Sequence, residues 1–424
     1  MGEGARRGWG GELTARTPAP TPVDPSTARR TILGVSLASF FSDTGHEMAT
    51  AVLPAFLRTL GAPAAVLGAI EGIADAAQST AKLVGGSVAD RPGVHRKRVA
   101  AAGYLVTGLG YASFALAHSW PVVAVGRAVA WGARGFRSPA RDSLLAAAVP
   151  SERLGRAFGT ERASDSAGAV VGPLVASALI GVLGFRRLFA VSFLPAIGAS
   201  LSIALLVREM PRIRAAVHAS LVRARDLVNR PTPFRRLLVG SGLYGLGNFS
   251  ATLLILRATD LLRDSGRSLE SAAAVAVLLY ATHNAANALA AYPAGAVADR
   301  LGRRKVLVSG VVLFAVACFA FVPGSANVAV LGALFVAVGC STGIVETSRG
   351  SYAAELLPDE VRGRGFGLIG LVDGVGDLVS SLVVGILWTV TAPAWGFVFA
   401  GVLSTAGALA LARPVRAEVA PRSA

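Results

Sequence analysis

Long apolar runs constrain the fold of this chain more than any other feature. A helix needs about 20 apolar residues to cross roughly 30 Å of hydrocarbon. Measured this way, twelve candidate spans begin near Ile32, Ala64, Val99, Pro121, Phe158, Leu188, Leu237, Ser271, Val306, Val328, Gly365 and Trp395. Hydrophobic residues make up 53% of the 424 residues and charged residues 16%, which is too apolar for a soluble protein of this length. The sequence therefore predicts an all-α membrane protein.

Positive charge is distributed unevenly among the turns between the spans. The net charge is +16, which would suggest a nucleic-acid partner for a soluble protein. Here the arginines and lysines concentrate in alternate turns, at 91–98, 153–156, 300–305 and 362–364, while the turns at 117–121, 323–327 and 391–394 carry none. This positive-inside bias predicts that both termini are cytoplasmic in a multi-pass protein of the inner (plasma) membrane. We expect a lipid bilayer as its partner and no nucleic acid.

The sequence contains an internal duplication. The segment GAVADRLGRRK, from Gly295 to Lys305, has a looser copy, GGSVADRPGVHRK, that ends at Lys97. At a constant offset of 208 positions, Arg141 corresponds to Arg349, and the same offset relates Asp165 to Asp373. The two halves of the chain are therefore repeats of one unit.

The repeated loop, Gly-x-x-x-Asp-Arg-x-Gly-Arg-Arg-Lys between two apolar helices, resembles the signature loop of the major facilitator superfamily of secondary transporters. The resemblance covers about residues 31–412 and implies two pseudo-symmetric six-helix bundles around a central cavity. In that family the loop is understood to stabilise one access state. The matching positions, which we expect to gate access, are Gly86, Asp90, Arg91, Gly93 and Arg96, then Gly295, Asp299, Arg300, Gly302, Arg303 and Arg304. Topology alone would explain the arginines, but not the aspartates or glycines.

Five regions follow from this pattern. We expect a disordered cytoplasmic tail at 1–30, a first bundle at 31–207, a basic cytoplasmic linker at 208–236, a second bundle at 237–412 and a cytoplasmic tail at 413–424. The first tail is polar and lacks the apolar segment of a cleaved signal peptide. Cys318 and Cys340 lie inside apolar runs, so they indicate neither a disulfide framework nor a metal site.

Charged residues inside the apolar runs identify the candidate transport site. A charge at the bilayer centre costs about 2.5 to 3.5 kcal/mol on insertion scales and must face protein or water. Eight acidic and four basic residues lie at this depth: Asp43, Glu47, Glu71, Asp75, Asp165, Glu346, Asp373 and Asp377, with Lys82, Arg127, Arg134 and Arg349. The acidic surplus favours neutralisation by protons, by a cation or by a cationic substrate.

Asp43 and Glu47 are the first candidates for a proton site. They are four residues apart and therefore share one face of a helix. Two neighbouring acids repel each other when both are ionised, which is the chemistry that a proton-coupled carrier needs. The alternative is a structural role, in which Arg127 or Arg134 neutralises them.

Asp373 and Asp377 form a second pair of acids, in span eleven. No basic residue of their own span neutralises them. Glu346 and Arg349 of span ten are three residues apart, so a pair between these two is the simplest account of both. Asp373 and Asp377 are therefore our second candidates for the proton site.

The segment GAVVGP, from Gly168 through Gly172 to Pro173, is a candidate helix-packing motif. It resembles the Gly-x-x-x-Gly-Pro motif of the drug/proton antiport branch of the superfamily, although Ala176 and Ser177 stand where a glycine pair usually follows. The resemblance implies export. Close packing of helices explains the same residues without any function.

These observations predict a secondary active transporter that works by alternating access. Our first hypothesis is proton-coupled efflux of a small neutral or cationic organic compound by a monomer. The alternatives are a proton-coupled importer of a small nutrient and a receptor or scaffold that keeps the fold without transport. No nucleophile, base and orienting residue occur together, and no Gly-x-x-x-x-Gly-Lys loop is present. We therefore expect no enzyme activity, no ATP, no cofactor and no metal.

Overall fold

The computed structural model describes residues 24–89, 91, 93–149, 153–209, 232–357 and 359–413. These residues form helices α1 (Pro25–Thr59), α2 (Ala64–Ala89), α3 (Arg96–Ala112), α4 (Trp120–Ala147), α5 (Leu154–Val191), α6 (Phe193–Leu206), α7 (Thr232–Gly247), α8 (Ala251–Asp264), α9 (Leu269–Leu301), α10 (Arg303–Phe321), α11 (Val328–Leu356), α12 (Asp359–Val390) and α13 (Pro393–Ala412). No strand occurs among them. Asp90, most of the predicted linker, residues 1–23 of the first predicted tail and 414–424 of the second lie outside these residues. Residues 25–30 of the first tail, which we expected to be disordered, are the first turns of α1.

Local sequence explains where α1 begins and ends. Asp24 accepts hydrogen bonds from the backbone N–H groups of Ser26 and Thr27, each at 3.3 Å, and so caps the helix. Its hydrogen bonds with Ser26 hold the pKa of the Asp24 carboxyl below its usual value. At the other end Gly61 has φ 70°, which favours glycine and stops the helix.

Helices α1–α6 form one bundle and α7–α13 form the other. Edge-to-face aromatic contacts fill the core of each bundle. In the first, the ring of Phe114 lies 5.8 Å from that of Tyr111 and 5.2 Å from that of Phe189. In the second, Phe249 contacts Phe397 at 5.5 Å. Such pairs add about 0.5 to 1.5 kcal/mol beyond the area they bury.

The helices predicted from the apolar runs agree with most helices of the structure. They differ at two places. The seventh span, predicted as one run from Leu237, is two helices, α7 and α8, separated by residues 248–250. The chain also bends at Gly184 (φ 65°, ψ 174°), four residues before the predicted start of span six at Leu188. Only glycine adopts this φ readily, so the boundary lies there.

Eight stretches of the described chain are long and apolar enough to cross a membrane by length and composition: 96–116, 157–206, 233–264, 269–301, 303–321, 328–353, 368–390 and 393–412. Helices α1, α2 and α4 are not among them, and each carries charged residues in its interior. The number twelve therefore stays a prediction.

The two bundles meet at one end of the molecule, which we call the closed end, where α1 ends and α2 begins. There the backbone N–H of Ala65 donates to Thr389 Oγ1 at 2.9 Å. The contact between α2 and α12 extends to Ser79, whose hydroxyl would lie 3.0 Å from a Cβ on Gly374. Beyond this point Leu83 is 78% exposed and Leu371 62% exposed. The bundles separate towards the opposite end, the open end, where the two signature loops lie.

Candidate functional site

Four arginines of α4 lie along the face that packs against α1. Their spacings of seven, three and four residues place them on one side of a helix. Each donates a hydrogen bond to a side-chain oxygen of α1: Arg127 to Thr50 at 2.8 Å, Arg134 to Asp43 at 3.2 Å, Arg137 to Ser42 at 2.8 Å and Arg141 to Ser39 at 3.1 Å. This row of basic residues faces the polar residues of α1 inside the first bundle.

Two of these arginines neutralise predicted site acids. Arg134 Nη1 lies 2.7 Å from Asp43 Oδ1, and Arg127 Nη2 lies 2.8 Å from Glu71 Oε2. The Arg127 and Glu71 side chains are 1% and 3% exposed. For Asp43 the structure therefore shows the alternative in which an arginine neutralises the acid. Glu47 differs from Asp43 in this respect.

Glu47 has no arginine within ion-pair distance among the described residues. Its Oε1 lies 3.5 Å from His46 Nε2, and its Oε2 is buried with no hydrogen-bond partner. The residue is 8% exposed. Its carboxyl also interacts with the hydroxyl of Tyr280, which belongs to α9 of the second bundle. Glu47 is therefore a buried acid at the contact between the two bundles.

Aromatic side chains surround this acid. His46 Nδ1 is 2.6 Å from the Tyr111 hydroxyl, and the His46 ring meets the edge of Trp131 at 5.2 Å. The guanidinium of Arg127 lies over the Trp131 ring at 5.1 Å, a cation–π contact. The indole N–H of Trp131 is buried without a partner. These contacts fix His46 beside Glu47.

The break between α7 and α8 meets the first bundle at this same level. The Ser250 hydroxyl donates to Glu71 Oε2 at 3.4 Å, and the Ser250 backbone N–H donates to Ser381 Oγ at 3.0 Å. The Ser380 hydroxyl donates to the backbone carbonyl of Asn248 at 2.8 Å. The Glu71 carboxylate therefore lies beside the N-terminus of α8, where the helix dipole favours negative charge.

In the second bundle, the predicted ion pair between Glu346 and Arg349 of span ten is wrong. Arg349 Nη1 lies 2.6 Å from Asp373 Oδ1, so Asp373 is not an unneutralised acid. Glu346 is exposed and forms no ion pair among the described residues. Spacing along one helix favoured Glu346, but α12 packs close enough to supply a nearer carboxylate. Asp377 forms no ion pair among the described residues and interacts with the Asn248 side chain.

Two further predicted acids lie near the contact of the bundles. Asp75 is half-buried, and its carboxylate is close enough to those of Glu71, on its own helix, and Asp377, of the opposite bundle, for the like charges to repel each other. The carboxylates of Asp165 and Asp43 repel each other in the same way. Neither Asp75 nor Asp165 forms an ion pair with a described basic residue within 4.0 Å.

The sequence reasoning missed three charged residues of this region. Arg141 Nη1 lies 2.8 Å from Glu161 Oε1, whose side chain is 2% exposed. Arg137 is 2% exposed and lies 3.7 Å over the Tyr104 ring, with Nε and Nη1 unpartnered. Its four-residue spacing from Arg141, continued back to Arg134 and Arg127, was the signal that could have identified the row.

The signature loops lie at the open end and make no contact across it in the described residues. Arg96 is buried and pairs with Glu209 at 3.4 Å, within the first bundle. Arg303 lies 3.5 Å from Asp299 and 3.6 Å from Glu355, both in the second bundle. The Asp299 side chain is 68% exposed. The remaining loop positions described, which are Gly86, Arg91, Gly93, Gly295, Arg300, Gly302 and Arg304, lie in the same two turns or in the helix ends beside them.

The Gly168–Pro173 segment packs α5 against α1 next to Glu47. A Cβ on Gly168 would clash with the Phe40 carbonyl oxygen, and one on Gly172 would lie 2.8 Å from Glu47 Cβ. Glycine is required because the helix backbones approach so closely. Pro173, which is buried, follows directly inside α5.

The carboxylates at this site can take up a proton or attract a cation. Within the described part of the chain no three His, Cys, Asp or Glu side chains come close enough to hold a metal ion. At the bundle contact Glu47 is a buried acid without an arginine, beside Asp43 and Glu71, which arginines neutralise. Asp75, Asp165 and Asp377 also form no ion pair among the described residues, but they are less buried.

Comparison with known proteins identifies the family. The profile of the Major Facilitator Superfamily (MFS) matches residues 35–282 and 248–424. A protein of Methanocaldococcus jannaschii described as an uncharacterised MFS-type transporter is 25% identical over 381 residues, covering 89% of this chain and 93% of that protein.

Solved structures agree with this assignment. A point mutant of the nucleoside transporter NupG has a TM-score of 0.78 at 15% identity, covering 90% of this chain and 98% of that one. A bacterial homologue of the human lysosomal transporter Spinster, in an inward-facing and unoccupied conformation, has a TM-score of 0.75 at 14% identity, covering 92% and 97%. These likenesses are of fold. The chain belongs to the Major Facilitator Superfamily and is a multi-pass membrane transporter, not an enzyme.

Proposed function

We propose that this transporter couples proton movement to efflux of a small neutral or cationic organic compound, and that Glu47 carries the proton. The observation that supports this most is the environment of Glu47. Asp43 and Glu71, its nearest acidic neighbours along α1 and α2, are each held by an arginine at 2.7 and 2.8 Å. Glu47 is buried without one. A buried carboxylate with no cationic partner costs several kcal/mol unless it takes up a proton.

The position of Glu47 suggests how the proton is linked to movement. In the state described here the acid is enclosed, with Tyr280 of the opposite bundle beside it. When the bundles separate at the closed end, Tyr280 moves away with its own bundle and water reaches the carboxyl. A protonated Glu47 suits the enclosed state and an ionised one suits the hydrated state, so alternation of access moves a proton. Asp377, which lacks an ion pair, is the second candidate.

The acids that remain without ion pairs support a neutral or cationic substrate. Asp75 and Asp377 come from opposite bundles, and their negative charges repel each other. Glu346 is exposed. An anionic substrate would meet repulsion from these carboxylates, whereas an organic cation would be attracted to them.

The signature loops are the proposed gate at the open end. Asp299 makes only a 3.5 Å contact with Arg303 of its own loop, which leaves it free to approach the opposite bundle when that end closes. By the duplication, Asp90 is its counterpart in the first bundle. The basic turns predict that this end faces the cytoplasm.

Proton flux in vesicles tests the proposal. Purified protein is reconstituted with an internal pH dye, and cationic, neutral and anionic compounds are added outside. An antiporter that admits a compound releases protons and makes the interior alkaline, whereas a symporter makes it acidic. We expect a neutral or cationic compound to make the interior alkaline with the parent protein and not with Glu47→Gln.

The control is Glu270→Gln, which removes the same charge from an exposed acid in the first turn of α9. It should behave as the parent does, and protein-free vesicles report passive entry of weak bases. Acidification by an active compound would assign import instead of efflux. Full activity in Glu47→Gln would remove Glu47 from the coupling step.

A further inference from the structure

One ion pair joins the two bundles in the described part of the chain. Arg58 Nη2 lies 2.5 Å from Asp260 Oδ2. Arg58 is in the last turn of α1 and Asp260 is in α8. Their side chains are 29% and 19% exposed, so the pair stands at the rim of the closed end. The other described ion pairs each lie within one bundle. Opening this end must separate Arg58 from Asp260.

A second arginine stands near the same carboxylate within the second bundle. Arg257 is three residues before Asp260 on α8, so the two side chains share one helix face. It interacts electrostatically with Asp260 and with Asp264, but it forms no ion pair within 4.0 Å in the described residues. Its Nε has no partner, and its guanidinium instead packs against Gly324 of the turn between α10 and α11.

We propose that Asp260 exchanges arginines during transport: it pairs with Arg58 of the opposite bundle when this end is closed, and with Arg257 of its own bundle when this end is open. The exchange makes Arg58 and Arg257 gating residues with opposite effects. It needs no proton and no substrate, so it does not depend on the proposed coupling.

The exchange has a physical rationale. Separating Arg58 from Asp260 with no replacement loses the attraction of a half-buried ion pair. A waiting arginine one turn away supplies a new partner in the open state and lowers the cost of opening. Removing Arg58 should therefore favour the open state, because Asp260 loses its partner in the closed state and keeps Arg257 for the open state. Removing Arg257 should favour the closed state, because Asp260 then has no partner after opening.

Thiol labelling of single-cysteine proteins in detergent measures this balance. In a Cys318→Ala, Cys340→Ala background, Ser381→Cys reports on the closed end, where Ser381 is 0% exposed and its backbone faces Gly68 of the other bundle. Leu371→Cys reports on the open end. With a water-soluble maleimide, Arg58→Gln should raise the labelling of Ser381→Cys and lower that of Leu371→Cys, so that the ratio of the two rates changes about threefold for a pair of this exposure.

Arg257→Gln should shift both labelling rates in the opposite directions. The charge swap Arg58→Asp with Asp260→Arg should restore slow labelling of Ser381→Cys, because it rebuilds the pair across the bundles and places the new arginine beside Arg257. Arg267→Gln is the matched control and should leave both rates unchanged, because Arg267 is an exposed arginine after α8 that forms no ion pair with a described residue.

Three results would overturn the exchange. The first is equal rates in the parent, Arg58→Gln and Arg257→Gln. The second is a shift in the same direction by both single variants. The third is a shift by Arg263→Gln as large as that of Arg257→Gln, since Arg263 is exposed and equally spaced from Asp260. None of these results bears on proton coupling, which the vesicle assay tests separately.

Discussion

At the scale of single residues, the arginines of α4 give neighbouring acids different roles. Arg127 and Glu71 are almost fully enclosed and 2.8 Å apart, and each makes a further hydrogen bond, Arg127 with Thr50 and Glu71 with Ser250. Each charge makes burial of the other tolerable. Glu47 lies nearby without such a partner, which is why we propose that its charge state, and not that of Glu71, responds to movement of the bundles.

Glu71→Ala should therefore destabilise the protein strongly. It leaves the Arg127 guanidinium buried and without a carboxylate, at a cost of about 3 to 5 kcal/mol. We expect a clear fall in the midpoint of thermal unfolding in detergent. The double variant Glu71→Leu, Arg127→Met should recover most of the loss, because it removes both charges. Arg303→Ala is the control, because it breaks only contacts near the surface, with Asp299 at 3.5 Å, Glu355 at 3.6 Å and the Ser351 carbonyl oxygen at 3.2 Å. Equal midpoints for Glu71→Ala and Arg303→Ala would contradict this role.

The acids of the site could be read from the sequence because a charge inside an apolar run is conspicuous. Their partners could not. Spacing along one helix is readable, and it favoured Glu346 for Arg349, whereas the actual partner, Asp373, comes from another helix. Arg137 and Arg141 were missed because basic residues near the end of a span are also explained by membrane topology. Arg58 and Asp260 are 202 positions apart, so only the packing of the bundles brings them together.

At the scale of helices, close packing positions the candidate proton site. The two glycines of α5 let its backbone approach α1 at the turns that carry Asp43 and Glu47. The sequence predicted this packing from the Gly-x-x-x-Gly pattern. It did not predict the break between α7 and α8, because no proline or charge interrupts the segment at 248–250. There, hydroxyls of α12 replace the missing helical hydrogen bonds.

Gly172→Ala should separate α1 from α5 and lower stability. The new Cβ would lie 2.6 Å from the Thr44 carbonyl oxygen, and relieving such overpacking typically costs about 1 to 3 kcal/mol. The thermal unfolding midpoint in detergent measures the effect. Gly181→Ala in the same helix has nothing within 4 Å of its new Cβ and should leave the midpoint unchanged. A neutral Gly172→Ala would show that the helices are not in tight contact there.

At the scale of the whole molecule, the bundles touch at one end and separate at the other. The duplicated sequence predicted two similar bundles, and comparison with solved structures confirms the MFS fold. Equivalent arginines of the two repeats, Arg141 and Arg349, both pair with an acid of the following long helix, Glu161 and Asp373. With the offset of 208 positions between the repeats, these two acids lie one helical turn apart. The two halves therefore neutralise their equivalent arginines with acids at different positions. The state of access could not be read from sequence, since both states use the same residues.

One comparison tests most directly whether Glu47 links proton movement to transport, as we propose. For a compound that passes the vesicle assay, Glu47→Gln is measured both in pH-driven accumulation and in exchange between equal concentrations of labelled and unlabelled compound. We predict that exchange persists, because access still alternates, while accumulation against a gradient is lost. A Glu47→Gln protein that still accumulates the compound as the parent does would contradict the account.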